Sequence, residues 1–255
     1  MQTKTRIVEL IGPPGVGKSM LYEEMARKYY KEKDWISMEH LLAPKSPGLK
    51  FPVQWLEHQY RKLFDKKRIK SIPTEYGLRF IKENEKFAEF CWNHISTSHM
   101  HNSPDKRYRA AYFLFTDFCR YQAILEKKHS RPCLIEEGFL QKSYLLHQEK
   151  QLIEELLDEY IKLIPLPYAV IGIDTQEKGL ILSRLKTRKK TIPSHMDKDD
   201  SFLLSDIELW QHLVHTAIDK LKRSGVFVFN IDGSRPLAEK AASSHAFLKS
   251  LSQTS

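Results

Sequence analysis

The sequence predicts an α/β protein in which helices cover both faces of a parallel sheet of about five strands. Short apolar runs alternate with amphipathic helical patterns about five times along the 255 residues. A glycine-rich turn at residues 12–19 joins the first apolar run to the first helical pattern. Ligands of such sheets bind outside the carboxyl ends of the strands, so we expect the functional site along that edge.

Residues 12–19 read GPPGVGKS and fit G-x-x-x-x-G-K-[ST], the P-loop pattern, without a mismatch. They lie between a strand predicted over 6–11 and a helix predicted over 18 to about 31, which is the context that a P-loop requires. Glycines let the backbone aim successive N–H groups at one phosphate, and the helix adds the positive end of its dipole. The sequence therefore predicts a nucleoside triphosphate site. Its residues are Gly12, Pro13, Pro14, Gly15, Val16, Gly17, Lys18, Ser19 and Met20.

Two side chains of this turn carry the expected chemistry. Lys18 is expected to reach the outer phosphates, and the Ser19 hydroxyl is expected to ligate Mg²⁺. A short second strand is predicted over 35–38, and Glu39 follows it at the same edge of the sheet. Glu39 is a candidate to orient or deprotonate the hydroxyl of a phosphoryl acceptor.

From about 53 to 128 the pattern is helical, with three amphipathic stretches. The second stretch runs from about 76 to 94, and a break at Pro104 separates it from the third. The third is apolar nearly all round, which predicts a helix packed on the sheet and covered by others. Arg120 on this helix is a candidate to hold an anion of the acceptor, and a surface ion pair is an equal alternative.

The next strand is predicted over 133–138 and places an acidic pair, Glu136 and Glu137, near its carboxyl end. P-loop enzymes keep an acid at this place for Mg²⁺, for its water shell or for the acceptor hydroxyl. The predicted metal ligands are therefore Ser19, Glu136 and Glu137. Alternation along a strand sends the two carboxylates to opposite faces, so at most one should face the phosphates, and which one stays open. A carboxylate pair in solvent is the alternative.

The rest of the chain continues the alternation of helix and strand. The predicted elements are a helix over 152–164, a strand over 168–174, a basic helical segment over 179–190, a mobile polar stretch over 191–201, a helix over 203–221, a strand over 226–231 and a closing helix over 234–251.

The basic segment holds Arg184 and Arg188, which are four residues apart and would share one face of a helix. Two guanidinium groups on one face could grip the same phosphate and neutralise the charge that spreads over a moving phosphoryl group. We therefore predict a lid over about 184–201. A solvated basic face and a nucleic-acid patch are the alternatives.

The chain carries 41 Lys and Arg against 32 Asp and Glu, a net charge of +9. This surplus favours anionic partners without choosing among nucleotides, phosphorylated metabolites, nucleic acid and acidic membranes. Its three cysteines are scattered and predict buried thiols, not a disulfide framework or a zinc site. No apolar run approaches the roughly 18 residues of a membrane span, and no signal-peptide core is present, so we expect no membrane partner and a cytoplasmic location.

Four stretches together resemble the thymidylate kinase and deoxynucleoside kinase branch of the P-loop kinases. They are the P-loop, residues 113–117 followed by 133–139, residues 174–177 followed by the two arginines, and residues 231–239. The resemblance implies a three-layer P-loop NTPase fold and transfer of the ATP γ-phosphoryl group to a small acceptor. It implies that Glu137 is the strand-end acid, that Arg184 and Arg188 are lid arginines, and that Arg235 lines the adenine.

The chain also departs from that family. Gly138 stands where the family has an arginine, and Gln141 stands where the similar adenylate kinase motif has one. The long helical segment over about 53–128 implies an enlarged acceptor side within a single domain spanning 1–255.

We therefore expect a kinase that uses ATP and Mg²⁺ on a nucleoside, nucleotide or other small alcohol or phosphate acceptor. A nucleotide-switched regulatory NTPase or a nucleic-acid-binding ATPase is the alternative, and a polynucleotide end kinase lies between them. Pairing of two copies through the third helical stretch stays open.

Overall fold

The computed structural model describes residues 4–29, 34–43, 72–97, 103–142, 150–188, 195 and 198–253. Its strands are β1 (Ile7–Ile11), β2 (Ile36–Ser37), β3 (Cys133–Ile135), β4 (Ala169–Asp174) and β5 (Phe227–Asp232). They form one sheet in the order β2-β3-β1-β4-β5, and every neighbouring pair is parallel. The predicted parallel sheet of about five strands is confirmed.

Nine helices lie in the described part of the chain. They are α1 (Lys18–Lys28), α2 (Met38–Leu42), α3 (Thr74–Glu83), α4 (Glu85–Thr97), α5 (Pro104–Glu126), α6 (Lys150–Leu163), α7 (Lys178–Lys186), α8 (Asp200–Arg223) and α9 (Leu237–Gln253). Within the described ranges, no helix is both long enough and apolar enough to cross a membrane.

β1 lies at the centre of the sheet and is buried along its whole length. Its side chains alternate between two apolar cores, with Ile7 and Ile11 in one and Val8 and Leu10 in the other. The first core is closed by α3, α4, α5, α6 and most of α8, and the second by α1, α7 and α9. Helices therefore cover both faces of the sheet, as crossovers between parallel strands require.

Several boundaries differ from the predicted ones. The predicted second strand is shorter, because Ser37 caps α2 and its hydroxyl accepts a hydrogen bond from the backbone N–H of His40. The stretch predicted over about 76–94 is two helices, because the chain leaves helical geometry at Asn84, whose side chain donates to the carbonyl of Phe80. The basic segment is helical only to Lys186, and the predicted first amphipathic stretch near 53–63 lies outside the described residues.

The chain just after β3 is anchored in an aromatic cluster. Phe139 is fully buried, and its ring lies 5.2 Å from that of Phe80 and 4.6 Å from that of Tyr121. The hydroxyl of Tyr160 donates to the carbonyl oxygen of Phe139 at 2.7 Å. Burying one aromatic side chain contributes roughly 1.5–3 kcal/mol, so this cluster holds the two residues before Gly138 in place. The three cysteines are buried thiols, as predicted.

Candidate active site

The P-loop forms a tight turn between β1 and α1. Gly15 and Gly17 have φ angles of 83° and 105°, in the left-handed region that favours glycine. Gly12 is needed for a different reason, because a Cβ there would lie 2.2 Å from the carbonyl oxygen of Ile173 in β4. The glycines of the predicted motif are therefore required by the backbone and by close packing on the next strand.

Lys18 is buried at the base of this turn. Its ammonium group donates to the carbonyl oxygens of Gly12 at 2.6 Å and Pro13 at 3.0 Å. Burial lowers the pKa of Lys18 to about 8, although Glu137 and Glu136 act in the opposite direction. With this pKa the group is mostly positively charged at neutral pH.

The strand predicted over 133–138 is shorter, because β3 ends at Ile135, so Glu136 and Glu137 lie in the bend that follows and the strand alternation expected of them does not apply. Both carboxylates act electrostatically on Lys18. The Ser19 hydroxyl donates to the Glu136 carboxylate, whose pKa is raised by burial. Glu137 instead pairs with Lys142 at 3.1 Å. Burial alone would raise the pKa of Glu137, but Lys142, Lys18 and Arg188 together lower it.

Two residues that the sequence did not assign to the site, Glu9 and Gln141, join the chain after the acidic bend to β1 and to the P-loop. Glu9, in the middle of β1, is fully buried, and its Oε2 accepts a hydrogen bond from the backbone N–H of Leu140 at 3.0 Å. The side-chain oxygen of Gln141 accepts one from the backbone N–H of Gly12 at 3.1 Å. The signal for Glu9 was available, since it is the one charged residue in the apolar run at 7–11.

The position of the buried Glu9 carboxyl group also explains why residue 138 is a glycine. A Cβ at this position would lie 2.1 Å from the carboxyl carbon of Glu9. No side chain fits beside Glu9, which accounts for the glycine at this position. Burial also raises the pKa of Glu9 to about 8, so its carboxyl group is mostly protonated at neutral pH.

Arg184 and Arg188 do not share a helix face, because α7 ends between them at Lys186. The guanidinium of Arg184 donates to the carbonyl oxygen of Val16 at 3.0 Å and of Gly233 at 3.4 Å. It therefore links the outside of the P-loop to the turn after β5. Arg188 is exposed and interacts electrostatically with Lys18 and Glu137.

The turn after β5 contains the predicted adenine-side residue, Arg235. Its side chain is exposed, and its backbone N–H donates to the carbonyl oxygen of Asp232 at 3.3 Å. Buried Lys240 donates to the carbonyl oxygen of Gly233 at 2.9 Å, so this carbonyl accepts from both Lys240 and Arg184. The turn lies beside the P-loop, because a Cβ on Gly233 would be 2.8 Å from the side chain of Val16.

Glu39 and Arg120 are the two residues predicted to contact the acceptor, and each has a partner within the protein. Glu39 accepts a hydrogen bond from the Tyr22 hydroxyl. Arg120 pairs with Asp117 at 3.2 Å, and Lys142 lies 3.7 Å from the same carboxylate. The surface ion pair named as an alternative for Arg120 is thus present, with the difference that its carboxylate partner is buried.

A cavity of about 20 Å³ opens beside Glu137. This volume admits one water molecule or one hydroxyl group. Its lining combines apolar and charged side chains. They are Met38, Asp117, Arg120, Tyr121, Ile124, Ile135, Glu137, Gly138 and Phe139. The cavity therefore accepts a single polar group next to the acid that pairs with Lys142.

No family model and no curated protein matches the chain. The case for a function therefore depends on the geometry of these residues alone.

Proposed function

We propose that the chain is an ATP- and Mg²⁺-dependent phosphotransferase of the P-loop NTPase fold, a kinase of a small acceptor with a hydroxyl or phosphate group. One observation carries the proposal. Lys18 of the P-loop interacts electrostatically with the carboxylates of Glu136 and Glu137 and with exposed Arg188 at the carboxyl edge of the sheet. A cavity for one hydroxyl group opens beside Glu137.

The residues present suit a nucleotide with its metal. The Ser19 hydroxyl and the carboxylates of Glu136 and Glu137 are hard oxygen donors, which Mg²⁺ prefers, and the charge of Lys18 suits phosphate oxygens. In the described ranges, no group of three or more His, Cys, Asp or Glu side chains is arranged to hold a metal. Mg²⁺ in phosphoryl-transfer sites is commonly held by one or two carboxylates together with substrate phosphates. When bound, the ion would neutralise charge on those phosphates.

Each residue then has a distinct task. The P-loop amides and Lys18 bind the phosphates, and Ser19 and Glu136 would hold the metal. Glu137 borders the cavity and orients the acceptor hydroxyl in it, taking its proton as the new bond forms. Arg188 is exposed beyond the end of α7 and stabilises charge on the transferred group. Arg184 holds the P-loop against the turn after β5, which would place Arg235 beside the base.

A panel of acceptors tests the proposal. Purified protein is incubated with γ-labelled ATP, Mg²⁺ and nucleosides, nucleotides or sugar alcohols, and labelled product is separated from free phosphate. A kinase gives label on at least one acceptor. Release of free phosphate alone, at a rate that no acceptor changes, would instead support the regulatory or nucleic-acid-dependent ATPase.

A further inference from the structure

The first half of α5 exposes three aromatic side chains to solvent. Tyr108, Tyr112 and Phe113 are 72%, 58% and 46% exposed, while Leu114 and Phe118 on the other side of the helix are buried. The rings contact each other: Tyr108 and Tyr112 lie 6.5 Å apart with planes at 23°, and Tyr112 meets Phe113 edge-on at 5.7 Å. Rings of this size are normally buried, so a run of three in contact marks a binding surface.

This aromatic face leads to the cavity of the candidate site. Tyr108, Tyr112, Thr116 and Arg120 follow one another at four-residue spacing, so they form one continuous ridge that turns about 120° around α5. Each step is about 6 Å along the helix axis, and the whole row covers about 18 Å. Arg120 lines the cavity beside Glu137. A molecule lying along the row would reach the cavity with one end.

The charge of this face favours a polyanion. Arg109 and Arg120 are exposed on the same side of α5, and Lys106 and Arg107 are exposed in its first turn, where Asp105 is the acidic residue. The whole chain carries a net charge of +9. Exposed rings with interspersed cations are the combination that binds single-stranded nucleic acid, since each base stacks on a ring and the cations follow the phosphates. The 6.5 Å between the Tyr108 and Tyr112 rings is close to twice the ~3.4 Å spacing of stacked bases.

We propose that this face of α5 binds a single-stranded polynucleotide, whose bases stack on Tyr108 and Tyr112 and whose terminal hydroxyl enters the cavity beside Glu137. The second part deepens the proposed function and rests on it. The cavity has room for only one hydroxyl-sized group, which agrees with an acceptor whose bulk lies outside on the helix. In the reaction, the terminal oxygen forms a bond to the γ-phosphorus as the bond from that phosphorus to the β–γ bridging oxygen breaks. The hydroxyl proton goes to Glu137 and then to water, and ADP leaves.

Binding is measured first, without ATP, by the anisotropy of a fluorescent twelve-nucleotide single strand. Replacing both tyrosines by alanine (Tyr108→Ala with Tyr112→Ala) should raise Kd at least about tenfold, since stacking contributes about 1–3 kcal/mol per base. Replacing both by phenylalanine keeps the rings and should keep the affinity. Phe202→Ala removes a ring on α8 that is 45% exposed and should leave binding of the strand unchanged. Arg109→Gln should reduce the salt dependence of binding by about one counterion.

The proposal is overturned if the wild type does not bind the strand, if the double alanine variant binds as tightly as the wild type, or if a duplex competes equally well. If the affinity for an acidic peptide falls in the same variants and in the same order, the face binds a protein partner instead. The two tyrosine rings replaced in these variants are exposed, so melting temperatures close to that of the wild type verify that loss of binding is not loss of folding.

Label transfer is measured second and separates this inference from the proposed function. Lys18→Ala should bind the strand like the wild type and transfer about 10²- to 10³-fold less label from ATP to its 5′ or 3′ end. If a mononucleoside or sugar alcohol is labelled but the bound strand is not, the kinase stands and the terminal hydroxyl as acceptor is wrong. If no acceptor is labelled at all, the proposed function fails, and the binding result alone decides whether α5 holds nucleic acid.

Discussion

Lys18, on the side of the candidate site proposed for the nucleotide, is held by residues close to it in sequence, whereas the bend after β3, on the side proposed for the acceptor, is held by residues far away in sequence. Lys18 donates to carbonyls six and five residues before it. Glu9 and Leu140 are 131 residues apart, and Gly12 and Gln141 are 129 apart. The first arrangement follows from one local turn, but the second exists only when β1 and the P-loop are packed against the chain that follows β3. We therefore expect damage on the nucleotide side to remove chemistry, and damage on the acceptor side to remove stability and geometry.

The largest effect is expected at Lys18, on the nucleotide side. Lys18→Ala removes the buried positive charge that would face the phosphates, and should lower labelled-phosphate transfer by about 10²- to 10³-fold. Because the turn is held by its glycines, the variant should still fold, which circular dichroism and a melting curve can verify. Undiminished ATP consumption by the folded variant would contradict the assignment of this lysine.

The next effect is expected on the acceptor side at Gly138. Gly138→Ala places a Cβ 2.1 Å from the carboxyl carbon of Glu9, and should lower the free energy of unfolding by about 3 kcal/mol. Gly179→Ala is the matched control, because a Cβ there meets no atom within 4 Å and alanine favours α7 by about 0.5–1 kcal/mol. Urea titrations of the two variants compare them directly. Equal stability of both would show that the bend after β3 is not packed as described.

The buried carboxyl of Glu9 makes stability depend on pH. Burial raises the pKa of Glu9 from 4.5 to about 8, so between these values the unfolded chain has lost the proton that the folded chain keeps. The free energy of unfolding should therefore fall as pH rises through this range, by up to about 1.4 kcal/mol per pH unit from this group. Glu9→Gln cannot titrate and should remove that part of the slope, whereas exposed Glu239→Gln should keep it. Parallel urea titrations at pH 5, 6 and 7 measure the slopes, and an unchanged slope in Glu9→Gln would refute the buried proton.

The smallest effect on stability is expected at Arg184 and Arg188, the two arginines predicted for the lid. Arg184→Ala loses hydrogen bonds to the carbonyls of Val16 and Gly233, and should cost about 1 kcal/mol of stability. Arg188→Ala removes an exposed side chain and should change stability by less than about 0.5 kcal/mol. In the kinase assay, we expect the first variant to raise KM for ATP and the second to lower kcat. The reverse pattern would exchange the two roles.

Much of the fold could be predicted because its signals are local. The alternation of apolar runs and helical patterns indicated the parallel sheet, and the spacing of Gly12, Gly15 and Gly17 indicated the turn. Errors occurred where an element ends earlier than its sequence pattern predicts. Asn84 divides one predicted helical stretch into α3 and α4, and the end of β3 at Ile135 removes the alternation expected of the acidic pair.

The sequence by itself determined the strand–turn–helix of the P-loop, since glycine geometry and helix polarity act over a few residues. Only the tertiary structure decided which groups surround that turn. In the sequence Glu9 is an isolated charge in a strand, and only the folded chain buries it and brings the backbone N–H of Leu140 to it. The sequence predicts that Arg184 binds a phosphate, whereas in the folded chain its guanidinium donates to two backbone carbonyls. The physical reason is that the energy of a charged side chain depends on its burial and its partners, and both are set by residues far away along the chain.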